Sequence, residues 1–91
     1  MSDKVYWVYI LLCSNNTYYT GYTVDLDKRY TAHVKGTASK YTRSFKPIKI
    51  VQSWKIEGDK SLAMKVERYI KKLTRLEKEK IIKAPSSLPQ I

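Results

Sequence analysis

VYWVYILLCSNNTYYTGY, running from Val5 to Tyr22, is the stretch on which the fold turns. The segment Val5 to Cys13 is almost wholly apolar and rich in Val, Ile, Tyr and Trp, which suits a pleated strand and is too short for a helix. Apolar and polar residues do not alternate in it, so the strand is expected at the centre of a sheet, covered on both faces. Ser14, Asn15, Asn16 and Thr17 read as a turn, and Tyr18 to Tyr22 as the returning arm of a hairpin. Tyr6, Tyr9, Tyr18, Tyr19 and Tyr22 bring phenols into this core, and buried phenols need hydrogen-bond partners.

Outward from the hairpin, Thr23 offers an N-cap hydroxyl, Asp25 and Asp27 suit a first turn, and Gly36 suits a stop, which predicts a helix from about Val24 to Lys35. Leu26, Tyr30 and Val34 would form its inward stripe, with Arg29 and His33 four apart along one flank. Residues 36–46 are polar and basic and read as an exposed loop. Its Tyr41 and Phe45 either stack on bases or fold back to pin the loop to the core.

Pro47 opens a third strand, Ile48 to Ile56, with Ile48, Ile50, Gln52, Trp54 and Ile56 on one face. A helix from about Lys60 to Leu73 follows, capped by Asp59 or Ser61, with Leu62, Ala63, Val66, Tyr69, Ile70 and Leu73 turned inward and Glu67 at the border, partly desolvated. Thr74 and Glu77 match a capping box, so a further helix is expected to about Lys83, with Leu76, Lys80 and Ile81 on its inner side. The fold class is therefore α+β, a small, largely antiparallel three-stranded sheet flanked by helices in the order β-β-α-β-α-α.

The chain has 91 residues. That length suits one domain, residues 1–83, and the prolines at 85 and 89 leave 84–91 as a flexible tail. A single cysteine, Cys13, excludes an internal disulfide and a Cys-rich zinc site, which fits a cytoplasmic location. Met1 to Lys4 carry no basic lead-in, and the apolar run after them is too short for a signal peptide or a membrane span. Eighteen Lys and Arg stand against eight Asp and Glu, a formal net charge of +10. The excess is concentrated between Lys28 and Lys55, where no acid occurs. Such a zone is the electrostatic footprint of a polyanion partner, nucleic acid above all, rather than of a surface kept basic only for solubility.

With these residues in order the chain resembles the GIY-YIG endonuclease domain, most of all its small single-domain bacterial members. Trp7-Val8-Tyr9 stands where that family has Gly-Ile-Tyr, and Tyr19-Thr20-Gly21 where it has Tyr-Ile-Gly. Arg29 and His33 match the Arg and His of its first helix, and Glu67 its metal-binding Glu. The resemblance implies phosphodiester hydrolysis with one divalent ion, Mg²⁺ or Mn²⁺, held by Glu67. DNA is the expected substrate ahead of RNA, with structure rather than sequence selected, and with room for a protein partner that supplies specificity.

The residue types suit that chemistry. Arg29 can contact a phosphate bidentately, and one carboxylate with waters can hold a Lewis-acidic cation. By the same resemblance Tyr9, with Tyr19 beside it, is the general base. Its phenol would need Arg29 or the metal to bring its pKa down, and His33 is the competing base. Lys40, Tyr41, Arg43 and Lys46 are the expected nucleic-acid contacts. Trp7 thickens the strand and narrows access, and Tyr22 replaces a lysine of some members.

Each residue also has a plainer reading. The two tyrosines could be core aromatics, Arg29 could pair with Asp25, His33 could be a satisfied half-buried histidine, and Glu67 could pair with Lys71. Two rival functions follow: a non-catalytic module that binds DNA or RNA on the same fold, or an adaptor for a protein through Tyr41, Phe45 and Trp54. Tyr9 and Tyr19 share a sheet face only if the turn between them has odd length.

Overall fold

The computed structural model describes residues 5–90; the readings that fall on Met1 to Lys4 and on Ile91 lie outside the described residues. Strands β1 (Val5–Cys13), β2 (Tyr18–Thr23) and β3 (Pro47–Glu57) form one antiparallel sheet in the order β2-β1-β3. The apolar run is thus the central strand, as its lack of alternation requires.

Helices α1 (Leu26–Lys35) and α2 (Lys40–Ser44) cover one face, and α3 (Lys60–Lys71) and α4 (Arg75–Lys83) the other. Alternate β1 residues feed two cores. Val8 and Ile10 pack with Ile56, Ala63, Val66, Ile70 and Ile81. Tyr9, Leu11 and Cys13 pack with Tyr19, Leu26, Tyr30 and Ile50 on the opposite face. Burial holds the Cys13 thiol above its ordinary pKa, as an inert core side chain. No helix among the described residues is long and apolar enough to cross a membrane.

The hairpin turn answers the question of parity. Cys13 N–H donates to the Thr17 carbonyl at 2.9 Å, which encloses Ser14, Asn15 and Asn16, and Asn16 adopts φ 63°. This is a three-residue turn ending in a left-handed residue, a conformation asparagine tolerates. The odd length pairs Leu11 with Tyr19 and Tyr9 with Gly21, so both tyrosines stand on one face.

Several expectations need correction. Helix α1 starts at Leu26, not Val24, because Asp25 is the N-cap and accepts from Lys28 N–H, while Thr23 Oγ1 receives Asp25 N–H one step earlier. Val34 is 42% exposed, and the third inward residue of α1 is His33. Residues 36–46 are not all loop: Ser39 caps the short helix α2, whose Thr42 is fully buried. Helix α3 ends at Lys71, capped at its start by Asp59, and its Tyr69 is half exposed. The capping box of α4 is present and the expected Ile81 is buried, but Leu76 is 66% exposed and Lys80 is exposed too, and the partly buried Ile82 joins Ile81 on the core.

Strand β3 also departs from simple alternation. Ile10 opposes Gln52 and Leu11 opposes Ile50, so Val51 is an extra residue, and Ile48 is another between Lys49 and Pro47. These bulges send Ile50 to the Tyr9 face and Val51, Trp54 and Ile56 to the other. Beyond Lys83, a 3-10 turn at Pro85–Ser87 brings the Pro85 carbonyl within 2.9 Å of Trp54 Nε1, and Leu88 packs on the larger core.

Candidate active site

The free edge of β2 is where the two faces of the sheet meet around a cleft of about 410 Å³. From the α1 face come Tyr9, Tyr19, Gly21, Thr23 and Arg29; from the α3 face come Tyr6, Tyr22, Lys60 and Glu67. Gly21 makes this crossing possible. A β-carbon there would stand 2.5 Å from the Tyr9 hydroxyl oxygen and 2.8 Å from its Cζ, so only a residue without a side chain lets the Tyr9 ring lie over β2.

Tyr9 is 2% exposed, and its hydroxyl stands 2.8 Å from His33 Nε2. His33 Nδ1 in turn is 2.7 Å from Thr42 Oγ1, which is 2.8 Å from Ser39 Oγ. The imidazole packs edge-on against both the Tyr9 and Tyr19 rings. Burial, helped by the nearby Arg29 charge, pushes the His33 pKa down to about 4, so the ring is neutral.

Burial and the neighbouring Tyr19 hold the Tyr9 phenol well above its ordinary value, and Arg29 only partly opposes them. Of the two positive charges that could bring the Tyr9 pKa down, Arg29 acts in the required direction but burial outweighs it in the protein alone. His33 does not reach the cleft; it stands behind Tyr9.

Arg29 lines the cleft and forms no ion pair among the described residues, since Asp25 is occupied as the α1 cap. Glu67 Oε2 is 3.6 Å from Lys71 Nζ, the plainer pairing foreseen for it, but this exceeds hydrogen-bonding reach. The Glu67 side chain is 18% exposed, on the cleft wall. No cluster of three or more His, Cys, Asp or Glu occurs among the described residues, which argues against a dedicated protein cage for a metal. One carboxylate on a hydrated cleft does fit Mg²⁺, which keeps several waters and takes its remaining oxygens from substrate phosphate.

The expected nucleic-acid contacts stand elsewhere. Lys40 and Arg43 border a separate hollow at residues 36–39. Lys46 Nζ is committed to the Val34 carbonyl at 2.9 Å. Tyr41 folds back: it stacks on Tyr19 at 5.9 Å between centroids and meets the hydroxyl of Thr17 and the amide of Asn15, though it stays 37% exposed. Trp7 borders a separate hollow with Val24 to Asp27 and is not among the residues lining the site cleft, so it does not narrow access.

Sequence reading missed Thr42, Ser39 and Lys60. Thr42 sits in a stretch whose polarity suggests loop, and the only hint was the Ser39-x-x-Thr42 spacing of a cap.

An α+β domain whose two tyrosines, arginine and glutamate converge on one edge cleft has the architecture of a phosphodiesterase-type catalytic domain. The chain belongs to the GIY-YIG family: the GIY-YIG catalytic domain matches residues 5–80. It is 40% identical over 77 residues to the UPF0213 protein BH0048 of Halalkalibacterium halodurans, covering 85% of this chain and 81% of that protein. It is 45% identical over 80 residues to the UPF0213 protein CPE1444 of Clostridium perfringens, covering 88% and 85%. The solution NMR structure of the BH0048 protein superposes with a TM-score of 0.57 at 37% identity, covering 91% of this chain and 87% of that one.

Proposed function

We propose that the protein is a divalent-metal-dependent endonuclease that hydrolyses phosphodiesters in DNA and selects strand structure rather than sequence. The observation that carries this reading is the meeting of the Arg29 guanidinium, the Glu67 carboxylate and the Tyr9 and Tyr19 phenols on one cleft, from two helices and two strands. Family membership supplies the nuclease class.

Arg29 would hold the non-bridging phosphate oxygens and offset the charge they gain in the transition state. Glu67 would hold Mg²⁺ or Mn²⁺, which when bound supplies Lewis-acid stabilisation of the leaving oxygen. Tyr9 would orient the attacking water and accept its proton, with Tyr19 beside it restricting the water's position. Lys60, on the cleft rim, adds a second positive group for the strand. Tyrosines, one arginine and one lysine read phosphate and stacked rings rather than base edges, which favours recognition by shape. Lys40, Arg43 and the exposed edge of Tyr41 would extend the phosphate-binding track. A cytoplasmic location accords with the reduced, buried Cys13.

The test is a cleavage panel of duplex, nicked, flapped and branched DNA, and of RNA, with Mg²⁺ or Mn²⁺, for wild type and Glu67→Gln. Metal-dependent cutting by wild type, lost in the variant while binding persists, is expected. Binding without cutting under every metal would replace this reading with a non-catalytic nucleic-acid-binding module.

A further inference from the structure

Behind the cleft, four hydroxyl and imidazole groups form an unbroken line from Tyr9 through His33 and Thr42 to Ser39, with separations of 2.8, 2.7 and 2.8 Å. We propose that Thr42, backed by Ser39, is a positioning residue that fixes His33 in the tautomer protonated at Nδ1, so that Nε2 receives the Tyr9 proton as Tyr9 takes one from the attacking water. This rests on the hydrolase reading above.

The polarity of the line follows from its far end. A neutral imidazole carries one N–H, and both of its nitrogens face hydroxyls. On the Ser39 side Thr42 Oγ1 meets the hydroxyl at 2.8 Å, which can accept or donate, and the backbone carbonyl at 3.5 Å. A carbonyl can only accept, so the Thr42 proton is drawn toward Ser39 and an oxygen lone pair is left facing His33. Nδ1 therefore donates, Nε2 is bare, and the Tyr9 hydroxyl donates to it. The Tyr9 oxygen then keeps a lone pair for the cleft.

This arrangement resolves a difficulty of the site. Burial makes a lasting Tyr9 phenolate costly, yet a base is needed beside the phosphate. In the line, Tyr9 gives up its proton while gaining another. The water O–H bond breaks, a P–O bond forms and the ester P–O bond breaks with its electron pair going to the leaving oxygen, which takes a proton from solvent in the open cleft. The water proton goes to the Tyr9 oxygen and the Tyr9 proton to His33 Nε2. His33 Nδ1 then passes its proton to Thr42, Thr42 to Ser39, and Ser39, half-buried at the α2 cap, to solvent.

His33 is the only histidine in the chain, so its ring nitrogens can be read without assignment ambiguity. Long-range ¹H–¹⁵N spectra of the full chain at pH 7 are expected to show the neutral Nδ1–H form in wild type and in Thr42→Ser, and a mixed or Nε2–H form in Thr42→Val. On a cleaved DNA substrate, Thr42→Val is expected to lose on the order of tenfold or more in kcat with KM unchanged, and Thr42→Ser to recover most of it. An Nε2–H signature in wild type overturns the proposal, as does a Thr42→Val enzyme within about twofold of wild type, or a Thr42→Ser enzyme as impaired as Thr42→Val. Wild type that cuts while showing Nε2–H brings down only this role; wild type that shows Nδ1–H and cuts nothing brings down the hydrolase reading and the role with it.

Discussion

Tyr9 lies across Gly21, its cross-strand partner, so closely that the phenol occupies the space where any other residue would carry its β-carbon. The ring is held from behind by His33 and cannot swing away as the end of a flexible side chain would. Gly21→Ala is therefore expected to displace Tyr9 and break its hydrogen bond to His33. Overpacking of this kind costs about 1–3 kcal/mol. Urea denaturation should show the loss, and the His33 ring signals should move; an unchanged midpoint would contradict the packing described.

His33 titrates far below its ordinary value of 6.5, at about 4, because it is buried and near Arg29. Between those two values the unfolded chain binds more protons than the folded one. The stability that this group contributes is thus complete above pH 6.5 and falls as pH drops toward 4. Urea midpoints at pH 7, 5.5 and 4 should decline more steeply in wild type than in His33→Gln. An NMR titration should find the imidazole still neutral at pH 5.

Lys40 and Arg43 border their hollow without the backbone commitment that holds Lys46 to the Val34 carbonyl. Replacing both by Ala is expected to weaken DNA binding across all sequences and to lower the slope of log affinity against log salt by about 1–2, with little change in kcat. Lys46→Ala should change that slope less. Affinity measured from low to physiological salt would check this.

Arg75 joins the hairpin turn to α4. Its guanidinium donates to the Asn16 carbonyl at 2.5 Å, reaches Glu79 at 3.2 Å and lies 4.7 Å from the centroid of the Tyr18 ring. These contacts are largely exposed, so Arg75→Ala should cost only about 1 kcal/mol. Faster amide exchange confined to Asn16 and Thr17 is the expected signature.

How far the chain could be read depended on what its residues announce locally. The apolar run from Val5, the capping box at Thr74 and the stop at Gly36 each carry their reason within a few residues, so the strand, helix and boundary follow from sequence. The β3 bulges do not: the pattern from Ile48 to Ile56 alternates well enough to hide that Ile50 and Ile56 face opposite ways. His33 took the inward place of α1 because a hydroxyl meets each of its nitrogens, a pairing invisible until Thr42 is brought across from α2. Arg29, Glu67 and the two tyrosines could be named one by one, but their meeting on one cleft depends on the length of a turn and on α3 reaching the β2 edge.

The turn formed by Ser14, Asn15 and Asn16 sets a phase for everything that follows it. A single deletion or insertion there would leave the register intact only by converting the turn to two or four residues still closed on Cys13 and Thr17. If the three-residue form were kept, β2 would shift half a step, exchanging the faces of Tyr19 and Tyr18 and of Gly21 and Tyr22. Tyr22 would then press on Tyr9 from where no side chain now stands. In a lineage of such proteins, a one-residue change in this turn should survive only where the turn type changes with it, so that Cys13 still faces Thr17.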